Sequence, residues 1–216
     1  MTIFEQPLQL VIVLFALSIL PLLIVLGTSF LKLSIVFALL RNALGIQQVP
    51  PNMALYGLAM VLSLFIMAPV GLAIQDNLET HPVSLESPAF VQQMESSVFA
   101  PYKEFLERNT APEQVQFFVD IGHKVWPEKY QKRIPDNSLL VMMPAFTVSQ
   151  LIEAFKIGLL LFLPFIAIDL IVSNVLLAMG MMMVSPMTIS MPLKLLIFVL
   201  MGGWEKLLGQ LVLSFS

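Results

Sequence analysis

Long uncharged stretches alternate with one polar interval along this chain, and the lengths of those stretches predict helices. After Glu5 the next charge is Lys32, so the intervening residues can cross a hydrocarbon core of about 30 Å as a helix. The candidate span is 8–31, with a kink expected where Pro21 and Gly27 interrupt it. Thr28–Asn52 carries Lys32 and Arg41 on an apolar background and ends in the stop signals Gly45 and Pro50-Pro51. That pattern fits a helix lying at an interface or packed on a partner. A second candidate span follows at 53–74.

The character then changes. Residues 76–138 hold ten acidic and six basic side chains together with several prolines. Helical rhythm through Phe99-Tyr102-Phe105-Leu106 and Val115-Phe118-Val119-Gly122 predicts short helices, with starts at Ser87-Pro88 and at Thr110-Ala111-Pro112-Glu113. Leu139–Met179 is the third apolar block. As one helix it would run roughly 60 Å, about twice the hydrocarbon core, so a break is expected at Pro164, giving a kinked helix or a hairpin. Leu193–Phe215 is the last block. It begins at Lys194 and has Gly202-Gly203-Trp204-Glu205-Lys206 in its middle.

These segments define an all-α, membrane-associated protein. The divisions are 1–75 (apolar helices), 76–138 (a small water-facing helical domain) and 139–216 (apolar helical hairpins with a loop at 179–187). Lys32 and Arg41 bias their loop toward the cytoplasm, whereas the net negative 76–138 domain and both termini go to the outer, periplasmic side of an inner membrane.

Composition narrows the function. Hydrophobic residues make up 58%, charged residues 12%, and the mean hydropathy is +0.89, where a soluble domain is about 25% charged. The absence of cysteine rules out disulfides and thiolate chemistry. His81 and His123 are too far apart in sequence to suggest a metal site, and a net charge of −3 gives no reason to expect nucleic acid. With Glu5 and no lysine or arginine ahead of the first apolar run, a cleavable signal is not expected. No phosphate loop, serine elbow or zinc helix is present, so neither an enzyme nor a cofactor is expected.

Charges inside apolar segments carry the candidate chemistry. A lone ionised side chain at the centre of a membrane helix costs roughly 2.5–3.5 kcal/mol, so such groups face protein, water or each other. Glu153 and Lys156, three apart, can meet on one helical face, and Ser149 extends the same stripe. Asp169 and Ser173 are four apart beyond Pro164, and Lys194 opens the last block. Pairing within the chain would neutralise these charges; pairing between copies or with a partner subunit would fix an assembly. An ion or small-solute transporter using Glu153, Lys156 and Asp169 is the alternative, and a membrane scaffold with no conduit of its own is a third reading.

The other candidate is Leu176–Pro192, which contains six of the chain's 14 methionines. Gly180, Pro186 and Pro192 prevent one undisturbed helix there. Unbranched thioether side chains fill irregular gaps and re-pack when a neighbour moves. The run is therefore either a helix-packing surface or a gasket. In the second case several copies set Met181, Met182 and Met183 around a shared axis, with Met179, Gly180 and Met187 extending the gate loop, and exclude water by close packing and dewetting.

Three stretches carry a family likeness: FLKLSIVFALLRNALGIQQVPPN (Phe30–Asn52), PAFTVSQLIEAFKIGLLLFLPFIAIDLIVSNVLLAMGMMMVSP (Pro144–Pro186) and ISMPLKLLIFVLMGGW (Ile189–Trp204). In that order and spacing the chain resembles the export-gate proteins of type III secretion, the FliP/SctR family, on its injectisome branch. The resemblance implies five copies joined by smaller S, T and U subunits into a helical, cone-like core, much of it lifted out of the membrane plane. It further implies contacts with the inner-membrane ring, inner rod and needle components, and membrane lipid. Unfolded polypeptides would pass through the pore. It maps the methionine gasket onto Met181, Met182 and Met183, and matches Glu153, Lys156 and Asp169 to charged family positions expected in intersegment or inter-subunit pairs.

Overall fold

The structure is a computed structural model that describes residues 7–46, 50–80, 93–131, 135 and 137–215. Among these residues it is helical, with turns and no strand. In order the helices are α1 (Pro7–Gly27), α2 (Phe30–Ala43), α3 (Asn52–Thr80), α4 (Ala100–Arg108, entered through a π-helical turn at Glu95–Phe99), α5 (Pro112–Val125), α6 (Glu128–Gln131), α7 (Leu139–Ala178), α8 (Pro186–Leu200) and α9 (Gly203–Leu213).

α7 is the spine. Its 40 residues form one continuous helix with Pro144 and Pro164 inside it, so of the two outcomes expected at Pro164 the hairpin does not form. A proline removes one backbone hydrogen bond and crowds one carbonyl, a local defect. The helix runs on past it, with Phe165 beside the proline buried against Phe198. α2 lies against α7 and buries Leu33, Val36, Phe37 and Leu40, one stripe at helical spacing. The crossing is close at Gly158, where an added Cβ would stand 3.2 Å from Cβ and Cγ of Leu39. α3 packs on α2 through Leu55, Ala59 and Ser63, spaced by one helical turn plus a fraction. It continues to Thr80, past the expected boundary at 75.

The α4–α5 segment does not stand apart from the apolar helices. Phe105 and Leu106 share a buried cluster with Met142, Phe146 and Phe215, and the Phe105 ring stacks on Phe215 at 6.4 Å. Polar bonds from α7 hold the connection between α4 and α5: Ser149 Oγ accepts from Ala111 N–H at 3.1 Å and Gln150 Nε2 donates to the Asn109 carbonyl at 2.7 Å. Ser149 thus serves the N-terminus of α5 and leaves the charged stripe. The expected start at Ser87-Pro88 lies outside the described residues; the one at Pro112 is observed.

α3 and α7 are each long and apolar enough to cross a membrane. Two bent pairs would each add a span: Leu17–Gly27 with Phe30–Ala43, at 62°, and Pro186–Leu200 with Gly203–Leu213, at 65°. The first bend falls at Thr28-Ser29, while Pro21 stays inside α1. A helix that stops at a bend leaves its last carbonyls without backbone partners. Side chains from three elements supply them. Thr28 Oγ1 donates to Ile24 O at 2.6 Å, Thr147 Oγ1 to Leu26 O at 3.2 Å and Tyr102 Oη to Gly27 O at 2.8 Å. Behind the bend, Ser29 Oγ donates to Ser63 Oγ at 3.0 Å, which passes its proton on to Thr28 Oγ1 at 3.2 Å. This hydroxyl chain ties α2 to α3 without placing a charge in the apolar layer.

Candidate functional site

The methionine segment begins where α7 ends. Met179 is the last residue near helical geometry and Gly180 follows with φ +73°, the left-handed conformation that costs an L side chain and suits glycine. Gly180 N–H donates to Leu177 O at 3.0 Å and Met181 N–H to Leu176 O at 2.9 Å. This crossed pair caps the orphan carbonyls of a helix end. The chain then turns through Met182, Met183 and Val184 to Ser185, and Pro186 opens α8. The reversal is sharp, so the methionines project from its tip: Met182 is 81% and Met183 100% exposed. Met179, Met181 and Met187 are also exposed. The returning limb packs on the end of α2, with Met187 Cε 3.4 Å from where a Cβ on Gly45 would lie.

Two ion pairs brace the helices below this tip. Lys194 of α8 donates to Asp169 Oδ2 of α7 at 2.6 Å and to the Ala43 carbonyl of α2 at 3.2 Å. One ammonium therefore joins three helices. The same groups border a cavity of about 370 Å³ that reaches Met187 and Gly45. The second pair is Lys32 of α2 with Glu153 of α7, also at 2.6 Å. In both, the lysine is buried and the acid is partly open: side-chain exposures are 0% and 45% for Lys32 and Glu153, and 6% and 42% for Lys194 and Asp169. Burying an ammonium is costly unless a carboxylate and further acceptors face it. For Lys32 the second partner is aromatic, because Nζ sits 4.2 Å from the centre of the Phe215 ring.

Glu153 thus takes a partner far along the chain in place of Lys156, its neighbour three residues on. Lys156 is exposed and has no ion pair among the described residues. Lys32 is enclosed at the helix junction. Arg41 lies in the last turn of α2, where a cation complements the helix dipole, and donates through Nη1 to Asn52 Oδ1 at the start of α3. Among the described residues no cluster of His, Cys, Asp or Glu has the arrangement of a metal site.

Sequence reading missed Tyr102, Thr147 and Phe215. Tyr102 also faces Met143 Sδ at 3.1 Å, and burial pushes its phenol up to about 12, so it remains a donor to Gly27. A tyrosine on an amphipathic helix of the polar interval gives no sign of reaching back to residue 27. Phe215 was legible only as part of an apolar run.

The family model described as "FliP family" matches residues 13–211. The chain belongs to the FliP family. It is 58% identical over the whole of both chains to "Virulence protein YscR" of Salmonella typhimurium. It is 54% identical to "Yop proteins translocation protein R" of Yersinia pestis, over 96% of each, and 45% identical to "Harpin secretion protein HrcR" of Erwinia amylovora, over 97% of each. The type III secretion resemblance carried by Phe30–Asn52, Pro144–Pro186 and Ile189–Trp204 therefore extends over the FliP-family chain as a whole, polar interval included. With its apolar helices the FliP-family chain is a membrane protein.

Proposed function

We propose that this chain is a pore-forming core subunit of a type III secretion export gate in the bacterial inner membrane, conducting unfolded polypeptides and catalysing no covalent reaction. Five copies surround one axis, much of the assembly stands on the periplasmic side, and the smaller S, T and U subunits complete it. The inner-membrane ring, the rod and needle components and membrane lipid surround this core. The names of the relatives, which speak of translocation and secretion, support a role in export.

One observation carries the gasket reading. Met181, Met182 and Met183 project together from a capped reversal, and Met183 is fully exposed. A large apolar side chain held in the open needs a partner of its own kind. Copies meeting at an axis supply it, and thioethers yield to a passing chain as branched side chains do not. Replacing all three with alanine should raise ion leakage through membranes containing the assembled gate while the particle persists. Unchanged leakage with intact assembly would count against the seal.

The transporter reading loses support. Glu153 and Asp169 are roughly 24 Å apart along α7 at 1.5 Å per residue, and each holds its own buried lysine. A proton relay needs them connected.

A further inference from the structure

The methionine tip has a coordination chemistry that needs only one chain. From Leu176 to Pro192 the sequence offers six thioethers and no histidine, cysteine, carboxylate or basic side chain. Hard and borderline divalent cations find no anionic or imidazole ligand there. A thioether is a soft, neutral donor, and it selects soft monovalent ions such as copper(I) and silver(I).

The backbone gathers these donors. Met181 N–H folds back to Leu176 O at 2.9 Å, Met182 N–H donates to Gly180 O at 3.0 Å and Val184 N–H to Met181 O at 3.3 Å, so Met179 to Met183 hang on one closed reversal. Consecutive Cα atoms stand about 3.8 Å apart, and each methionine swings its sulfur on freely rotating bonds. Met179, Met181, Met182 and Met183 are all exposed, so turning them onto a shared ion gives up little packing. The tip also follows the C-terminus of α7, the end of a helix where a positive charge is favoured. We infer that Met181, Met182 and Met183, with Met179 beside them, form a thioether site for copper(I) or silver(I).

Silver(I) is the probe, because it keeps its oxidation state in air. It is titrated in chloride-free nitrate buffer onto the full chain, extracted in detergent with its co-expressed membrane subunits, and bound silver is counted by native mass spectrometry. The unaltered chain should bind silver. Met181→Leu, Met182→Leu and Met183→Leu together keep the apolar volume and should weaken binding by at least about tenfold. If that variant does not assemble, Met183→Leu alone replaces a fully exposed side chain and should still lower the affinity. Met53→Leu removes a methionine that is 84% exposed on α3 and should change nothing. A thioether has no proton to lose, so affinity should be equal at about pH 5 and about pH 8, and zinc(II) should not displace the ion. No silver on the unaltered chain, undiminished binding after the tip substitutions, an equal loss from Met53→Leu, displacement by zinc(II) or affinity rising with pH each overturns the site. These outcomes are separate from the seal: silver bound at the tip of a gate whose triple-alanine variant does not leak keeps the site and removes the gasket.

Discussion

Lys32 and Glu153 stand 121 positions apart in the chain and 2.6 Å apart in space, and they differ in their access to solvent. The ammonium is sealed and the carboxylate is half open. Glu153→Gln strands a buried cation, whereas Lys32→Met leaves an acid that water can reach. The first should therefore cost about 3 kcal/mol and the second clearly less. Thermal unfolding of the detergent-extracted protein checks the order, and equal losses would contradict the asymmetry.

Tyr102 gives a pH dependence with a defined sign. Its phenol is raised by burial to about 12, above the ordinary value of about 10. The folded state therefore favours the neutral form. That contribution is complete below pH of about 10 and disappears as pH climbs through about 12. Tyr102→Phe should remove an ionisation near pH 12 from an ultraviolet titration. The same substitution should cost about 1 kcal/mol, through the bond lost at Gly27.

The crossing of α2 and α7 depends on Gly158. Gly158→Ala brings a methyl against Leu39 and should destabilise by about 1–3 kcal/mol. Leu39→Ala in the same chain should recover part of that loss. A double-mutant cycle measures the coupling, and strict additivity would mean that the helices re-space freely.

At Gly180 space is not the constraint, because nothing lies within 4 Å of an added Cβ. The cost of Gly180→Ala is the left-handed backbone alone, about 1 kcal/mol, and Gly180→Asn should cost less. Because the strain falls on the cap that aims the methionines, ion leakage should respond to the alanine variant more than global stability does. Leakage unchanged by both variants would separate the cap from the seal.

Much of this fold could be read from local pattern. The helix starting at Pro112 and the stop signal at Gly45 depend only on neighbours a turn away, and they appear where expected. What could not be read depends on distance. Pro164 interrupts helix hydrogen bonding locally, yet α7 continues through it. Glu153 and Lys156 have the spacing of a helical pair, yet a buried ammonium on α2 competes better for the carboxylate because it has fewer alternatives in water. The exposure of Met182 and Met183 follows from the sharp capped turn, which Gly180 and Pro186 did announce. The long reach of Tyr102 to Gly27 had no local sign at all.

The ammonium of Lys194 bonds to Asp169 and to the end of α2 at once, and this has a mechanical consequence. The two limbs that carry the methionine tip are pinned just beneath it by a contact that cannot be stretched without exposing a charge to an apolar surrounding. Splaying those limbs is the expensive way to widen an opening at the tip. Rotation about the three side-chain torsions of each methionine is the cheap one, so the aperture should widen as a lining that flattens against a fixed frame.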